Sequence, residues 1–69
     1  MITVQVNGVP RELEPGTHVG ALVARILGTE SSQGVAVARN GEVVLRAEWM
    51  AVVVEDEDIV EIIRATAGG

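Results

Sequence analysis

The sequence predicts an α+β fold in which one helix packs across one face of a mixed β-sheet. Three observations predict it: apolar residues alternate with polar ones near both ends of the chain, a single helical stripe lies between them, and Asn-Gly occurs twice. Alternation is the period of a half-buried strand, and Asn-Gly between two such segments indicates a tight hairpin turn. Two layers are the simplest way to bury one helical stripe together with several half-buried strands.

The first hairpin is predicted over residues 2–13. Ile2 to Val6 alternates apolar and polar residues, Asn7-Gly8 supplies the turn, and Val9 to Leu13 forms the second strand. Pro10 has no backbone N–H, which restricts that strand to an edge of the sheet or makes the proline its first residue. Glu14-Pro15-Gly16 then predicts another turn.

A helix is predicted next. Thr17 is expected as its N-cap and His18 as a solvated residue of the first turn, while Gly28 is expected to end it in a left-handed conformation. Thr29 to Gln33 is read as a polar connection. The stripe that faces the sheet consists of apolar residues at helical spacing: Val19, Leu22, Val23, Ile26 and Leu27.

The second hairpin is predicted around Asn40-Gly41. Val35 begins the third strand and Glu42 to Arg46 returns as the fourth, with Asn40-Gly41 between them as a type I′ turn and nothing more. Trp49 follows in an irregular or single-turn helical stretch and is expected to cap the core. A docking role for this tryptophan is the weaker alternative.

The last strand is predicted over Ile59 to Arg64, with Val60 and Ile62 facing the core. The acidic segment Glu55 to Asp58 before it is read as a solvated turn, since its spacing lacks the geometry of a metal-binding loop. If the first and last strands lie side by side, they run parallel through the helix. The fold is then a β-grasp with about four to five strands, although element order alone leaves other α+β topologies open.

The chain is predicted to divide into one domain over residues 1–64 and a flexible C-terminal tail over residues 65–69. A chain of 69 residues is one domain, and the tail has no apolar side chain large enough to anchor it. The tail ends in Gly68-Gly69.

Composition and charge exclude several classes of function. The net charge is −5 and all five basic residues are arginine, so an acidic chain without a basic stripe argues against nucleic acid and anionic membranes as partners. It suits a partner with a basic docking surface. No cysteine is present, which excludes disulfides and thiolate metal sites, and no metal is expected. No segment reads as a signal peptide or a membrane span, and we expect a cytoplasmic protein.

Several motifs together resemble the ubiquitin-like sulfur carriers and, within that group, the thiamine-biosynthesis family ThiS. They are Val6-Asn7-Gly8, the hairpin of residues 35–44, Arg46 followed by Trp49, residues 60–63, and the terminal diglycine. The resemblance spans essentially the whole chain.

The chain also departs from that family. Glu57-Asp58 stands where a Gly-Asp pair is usual, so either a left-handed Glu57 costs about 1 kcal/mol or the turn differs. Ile59 stands where a polar residue is common, and residues 52–54 are unusually apolar. These departures bear on the local turn and the docking surface, and they leave the tail chemistry untouched.

The resemblance implies a carrier and not an enzyme. In such a cycle an adenylating enzyme related to ubiquitin-activating enzymes uses ATP to activate the Gly69 carboxylate. A cysteine desulfurase or another sulfur donor converts it to a thiocarboxylate, and a thiazole synthase takes the sulfur. No cofactor is bound to the carrier itself.

The same resemblance implies which residues do the work. Gly69 is the acceptor and Gly68 precedes it, because a chain without Cβ atoms passes through a narrow channel. Ala65, Thr66 and Ala67 give reach with small side chains, since five extended residues span at most about 17 Å. Ile63, Arg64 and Val44 are predicted to form the partner-docking face, with ordinary packing as the equal alternative.

Other functions stay open at this point. A sulfur carrier of molybdopterin, cysteine or secondary-metabolite synthesis would look similar, although the molybdopterin-synthase small subunit is usually longer and richer in phenylalanine. A ubiquitin-like binding or conjugation module would have an idle or isopeptide-linked tail. An enzyme is poorly supported, because the chain offers no pairing of a nucleophile with a base.

Overall fold

The structure is a computed structural model that describes residues 1–28 and 34–64. The elements follow the predicted order, and the single helical turn expected near Trp49 is a 3₁₀ turn at Arg46–Glu48. In chain order they are β1 (Ile2–Val6), β2 (Val9–Leu13), α1 (Val19–Leu27), β3 (Val35–Arg39), β4 (Glu42–Val44) and β5 (Ile59–Arg64). The expected polar connection at residues 29–33 lies outside the described residues.

The five strands form one mixed sheet in the order β2-β1-β5-β3-β4. The central pair, β1 and β5, is parallel, and the other three pairs are antiparallel. First and last strands that lie side by side beneath one helix define the β-grasp, so the predicted fold is confirmed. Pro10 lies on the edge strand β2, where its missing N–H costs no ladder hydrogen bond.

The core lies between α1 and the inner face of the sheet. Val19, Leu22 and Val23 of the helix are buried against alternating residues of the strands. The strand residues and loop residues that complete this core are Val4, Val6, Leu13, Val37, Val44, Trp49, Val54, Val60 and Ile62. Val60 and Ile62 therefore face inward as predicted. In the apolar segment of residues 52–54, Val54 is fully buried and Val52 packs partly against the core, whereas Val53 is 44% exposed.

Both hairpins turn through an Asn-Gly pair in the left-handed region. Asn7 and Gly8 have φ of 54° and 83°, and Asn40 and Gly41 have φ of 52° and 86°. Positive φ at both central residues is the requirement of a type I′ turn, so both turn predictions are confirmed.

The entry to α1 differs from the prediction, because His18 and not Thr17 is the N-cap. His18 Nδ1 accepts a hydrogen bond of 3.0 Å from the Ala21 amide, whereas Thr17 Oγ1 donates to the Glu14 carbonyl at 2.7 Å. Thr17 lies one residue before the N-cap, and its hydroxyl closes the preceding turn. His18 is half-buried, and the expectation of a solvated first-turn residue is wrong.

The other helix end and the fourth strand also need correction. Gly28 has a positive φ of 82° as expected, but its ψ of −160° is extended and not left-handed helical. β4 ends at Val44 and does not reach Arg46. The indole of Trp49 donates to the Val44 carbonyl at 3.0 Å, so the chain leaves the sheet there and folds back to bury this side chain.

Candidate functional site

β5 is the strand that leads into residues 65–69. The predicted tail residues Ala65, Thr66, Ala67, Gly68 and Gly69 all lie outside the described residues, so their roles stay predictions. β5 itself lies between β1 and β3 and is anchored by side chains on its inner face. Val60 and Ile62 are 0% and 6% exposed, which anchors the strand as far as Ile62, three residues before Ala65.

The two turn asparagines hold the backbone of β5 from opposite sides. Asn7 Oδ1 accepts from the Ile62 amide at 2.9 Å, and its Nδ2 donates to the Ile62 carbonyl at 3.0 Å. Asn40 Oδ1 accepts from the Ile59 amide at 2.9 Å, and its Nδ2 donates to Asp58 Oδ1 at 2.9 Å. The expectation that Asn40 serves the turn alone is therefore wrong, because its side chain also fixes the first residue of β5.

A buried carboxylate closes the turn before β5. Asp58 accepts hydrogen bonds from Arg39 Nε at 2.6 Å, from the Glu55 amide at 2.7 Å and from Asn40. Burial by itself raises the pKa of Asp58, but the hydrogen bonds from Asn40, the Glu55 amide and Arg39, with the Arg39 charge, outweigh it. The pKa of Asp58 therefore lies below its ordinary value, and the group is an ionised structural residue at neutral pH.

The remainder of the acidic segment is only partly as predicted. Glu55 is exposed and makes a long 3.7 Å ion pair with Arg39, as a solvated turn residue would. Asp56 accepts from the Thr3 amide at 2.8 Å, and the Glu57 amide donates to the Thr3 carbonyl at 2.7 Å. Glu57 has a φ of 71°, so the left-handed backbone considered for this position is present.

The outer face of the sheet carries an apolar patch, which we call the outer patch. Ile63 is 62% exposed there and lies opposite Ala36 of β3, while Val43 of β4 is 71% exposed and lies opposite Ala38. The outer patch consists of Ala36, Ala38, Val43, Ile59 and Ile63. Glu61 lies between the two isoleucines on the same strand.

Only one of the three described residues predicted for docking lies on this face. Ile63 is on it, whereas Val44 is 8% exposed and points into the core opposite Val37. Val44 must therefore be replaced by its neighbour Val43 in any outer-face surface. Arg64 is exposed at the strand end but alternates with Ile63, and so projects from the other face.

No group of three or more His, Asp or Glu side chains within residues 1–28 and 34–64 is arranged to hold a metal ion. The single α-helix of the same ranges has nine residues, which is too short to cross a membrane.

Comparison with known proteins identifies the family. The profile of the ThiS family matches residues 4–69, which includes the terminal diglycine. The chain belongs to the ThiS family. No curated protein sequence matches it.

Two solved ThiS structures share this fold. The crystal structure of the thiamine biosynthesis protein ThiS from Geobacter metallireducens is 30% identical, with a TM-score of 0.80, and the match covers 99% of this chain and 100% of that one. An NMR solution structure of a thiamine biosynthesis protein from the same organism is also 30% identical, with a TM-score of 0.74 and coverage of 99% and 88%. The predicted family resemblance is thus confirmed along the chain.

Within this ThiS-family chain, sequence reasoning missed Val43 and the side-chain roles of both asparagines. The outward orientation of Val43 could have been predicted from the register of the hairpin. A two-residue Asn40-Gly41 turn places Arg39 opposite Glu42, and hence Val37 opposite Val44. Since Val37 belongs to the core, Val44 must as well, and Val43 must face out. The asparagine contacts with β5 had no such signal, because they cross 19 and 55 positions of sequence.

Proposed function

We propose that this chain is the sulfur carrier of thiamine biosynthesis and that the Gly69 carboxylate is its working group. The observation that carries the proposal is the family match, which runs through to residue 69 and so includes the diglycine end. The carrier is a co-substrate of its partners and not a catalyst.

The chemistry starts from a carboxylate that is a poor electrophile. An oxygen of the Gly69 carboxylate attacks the α-phosphorus of ATP on the activating enzyme, and pyrophosphate leaves. The terminal sulfur of a persulfide, formed by a cysteine desulfurase or another donor, then attacks the acyl carbon and displaces AMP. A thiol that cleaves the resulting S–S bond leaves a thiocarboxylate on Gly69, and a thiazole synthase receives this sulfur. The partners supply the nucleophiles and the oxyanion stabilisation.

The composition of the tail supports this role. Gly68 and Gly69 have no Cβ atoms and so allow close approach to the backbone that leads to the acyl carbon, and Ala65, Thr66 and Ala67 add length without bulk. The absence of cysteine is compatible with carriage of sulfur on the terminus itself.

The outer patch is the surface that we assign to the activating enzyme and the synthase. Ile63 and Val43 are large, apolar and exposed, and Ile63 lies on the strand that leads to the tail. Beside Ile59 lies an open groove of about 400 Å³ whose lining includes the carboxylates of Asp56 and Glu57. An apolar centre with an acidic border suits a partner that presents apolar side chains surrounded by basic ones.

The test uses the purified chain with its activating enzyme. We expect pyrophosphate exchange that depends on ATP. After a persulfide donor and a thiol are added, we expect an intact mass raised by the exchange of one oxygen for one sulfur. Because the chain has no cysteine, a thiol-alkylating reagent should then add once, at the terminus.

The matched control is the chain with Gly69 deleted, which keeps the whole described domain and should give neither exchange nor alkylation. If the complete chain gives no exchange, the carrier function is wrong and a binding module becomes the better hypothesis. If it is charged with sulfur but a thiazole synthase does not accept that sulfur, the carrier serves another pathway.

A further inference from the structure

The side chain of Asn7 occupies the position that a further residue of β1 would take beside β5. The amides of Gln5 and Asn7 donate to the carbonyls of Asp58 and Val60, both at 2.9 Å. The next backbone groups on that side of β5 belong to Ile62. Both are paired with the Asn7 carboxamide, the Ile62 N–H at 2.9 Å and its carbonyl at 3.0 Å.

A substitute is needed because the main chain of β1 turns away at this point. Asn7-Gly8 reverses the chain into β2, so no backbone of β1 continues alongside Ile62. These Ile62 groups are partly buried, and leaving such groups without a partner is costly. Within residues 1–28 and 34–64, this pair of hydrogen bonds is the last on the β1 side of β5 before the tail.

Asn40 provides a counterpart at the opposite end of the same strand. It holds the same position of an Asn-Gly turn, with a φ of 52° against 54° for Asn7, and its side chain also makes two hydrogen bonds. Its contacts are with Asp58 and Ile59, at the start of β5. The two asparagines therefore match in turn position and bonding, and differ in which end of β5 they hold.

We infer that Asn7 is a positioning residue for the tail: its carboxamide extends the β1–β5 ladder by one step and holds the β1 side of β5 at Ile62, while Ile63 and Arg64 still pair with β3. The inference rests on the proposed carrier function, since a fixed exit matters only if a partner must receive the tail. When the strand that precedes the tail is held in place, fewer residues must be ordered when a partner binds the tail.

The test compares Asn7→Gly with Asn40→Gly. Glycine adopts positive φ readily and Gly-Gly also forms type I′ turns, so both variants keep their hairpins and each loses two side-chain hydrogen bonds. Three quantities are measured for each: unfolding in urea, hydrogen exchange of the Ile62 amide, and the kinetics of ATP-dependent activation by the activating enzyme.

For Asn7→Gly we expect at least tenfold faster exchange at the Ile62 amide and about a fivefold rise in the KM for the carrier, with kcat unchanged. Asn40→Gly, at a similar loss of stability, should leave the Ile62 amide protected and the KM within about twofold of wild type. Asn7→Asp keeps an acceptor for the Ile62 N–H but has no donor for its carbonyl, and should fall between wild type and Asn7→Gly.

Equal KM values for the two glycine variants, or an Ile62 amide that stays protected in Asn7→Gly, would overturn the positioning role while leaving the carrier function intact. A wild-type chain that is not activated at all would instead overturn the carrier function, and with it the role of Asn7 in positioning the tail for a partner. The exchange measurement would still decide whether Asn7 holds Ile62.

Discussion

Arg39 Nε donates a 2.6 Å hydrogen bond to Asp58 Oδ2, and this contact joins the second hairpin to the turn that begins β5. The Asp58 side chain is 8% exposed and that of Arg39 is 27% exposed, so the pair is largely shielded from water. The same carboxylate also accepts from Asn40 and from the Glu55 amide. One buried group thus connects the second hairpin, at Arg39 and Asn40, with its own turn at residues 55–58.

Removal of this carboxylate should strongly destabilise the fold. Asp58→Ala leaves three donors without their acceptor, and we expect a loss of about 3 kcal/mol in the free energy of unfolding. Urea unfolding followed by the fluorescence of Trp49, which is buried, measures it. Glu55→Ala is the control and should cost at most about 0.5 kcal/mol, because Glu55 is exposed and its ion pair is long. Equal losses of stability in the two variants would contradict the role of Asp58 as the buried acceptor that stabilises this turn.

Acid should weaken the fold through the same residue. The pKa of Asp58 is lowered on folding from its ordinary value of 3.8, so the folded state holds this proton less readily than the unfolded chain does. Its contribution to stability is therefore complete above the unfolded pKa and is lost as the pH falls through the folded pKa. Urea midpoints measured from neutral to acid pH should fall less steeply in Asp58→Asn, which has no proton to take up. An unchanged slope would contradict the prediction.

The two faces of the sheet should respond oppositely to a charge. Ile63→Asp places a carboxylate on the outer patch, so we expect little loss of stability and at least a tenfold loss of kcat/KM for activation. Val44→Asp buries the same charge in the core and should prevent folding, as circular dichroism would report. Val9→Asp, at an exposed position of edge strand β2, is the control and should leave activation unchanged. If Ile63→Asp is activated normally, the outer patch does not dock the activating enzyme.

The N-cap of α1 should depend on His18. His18→Ala removes the acceptor of the Ala21 amide and should cost about 1 kcal/mol in the free energy of unfolding. His18→Asn should retain most of the stability, since asparagine is among the best N-cap residues. Thr17→Val loses only an exposed hydrogen bond to Glu14, and a larger effect there than at His18 would restore Thr17 as the cap.

Alanine should have opposite effects at two glycines. A Cβ on Gly20 would lie 2.8 Å from Met50 Sδ, but Met50 is 71% exposed and its flexible side chain can move away. We expect Gly20→Ala to stabilise the protein by about 0.5 kcal/mol, because alanine favours the helix.

Gly41→Ala meets no neighbour but lies at a φ of 86°, where a Cβ is strained, and should destabilise by about 1 kcal/mol. Thermal unfolding compares the two variants, and a lower melting temperature for Gly20→Ala would show that Met50 is held in place.

Local pattern alone determined the elements of this protein. Three patterns each involve residues that are close in sequence: the alternation of Ile2 to Val6, the apolar helical stripe that begins at Val19, and the two Asn-Gly turns. The structure has those elements where the sequence predicted them. The terminal Gly68-Gly69 and the hairpin motif likewise indicated the family. These features can be predicted from the sequence because backbone conformation and side-chain alternation are local properties.

Tertiary structure decided the rest. Asp58 is a buried ion-pair partner only because folding brings Arg39 and Asn40 to it. Asn7 serves Ile62 only because β1 and β5 run side by side. Each of these side chains has several possible partners within its reach. The choice among them depends on which strands become neighbours in the fold, and the sequence does not give the distances between strands.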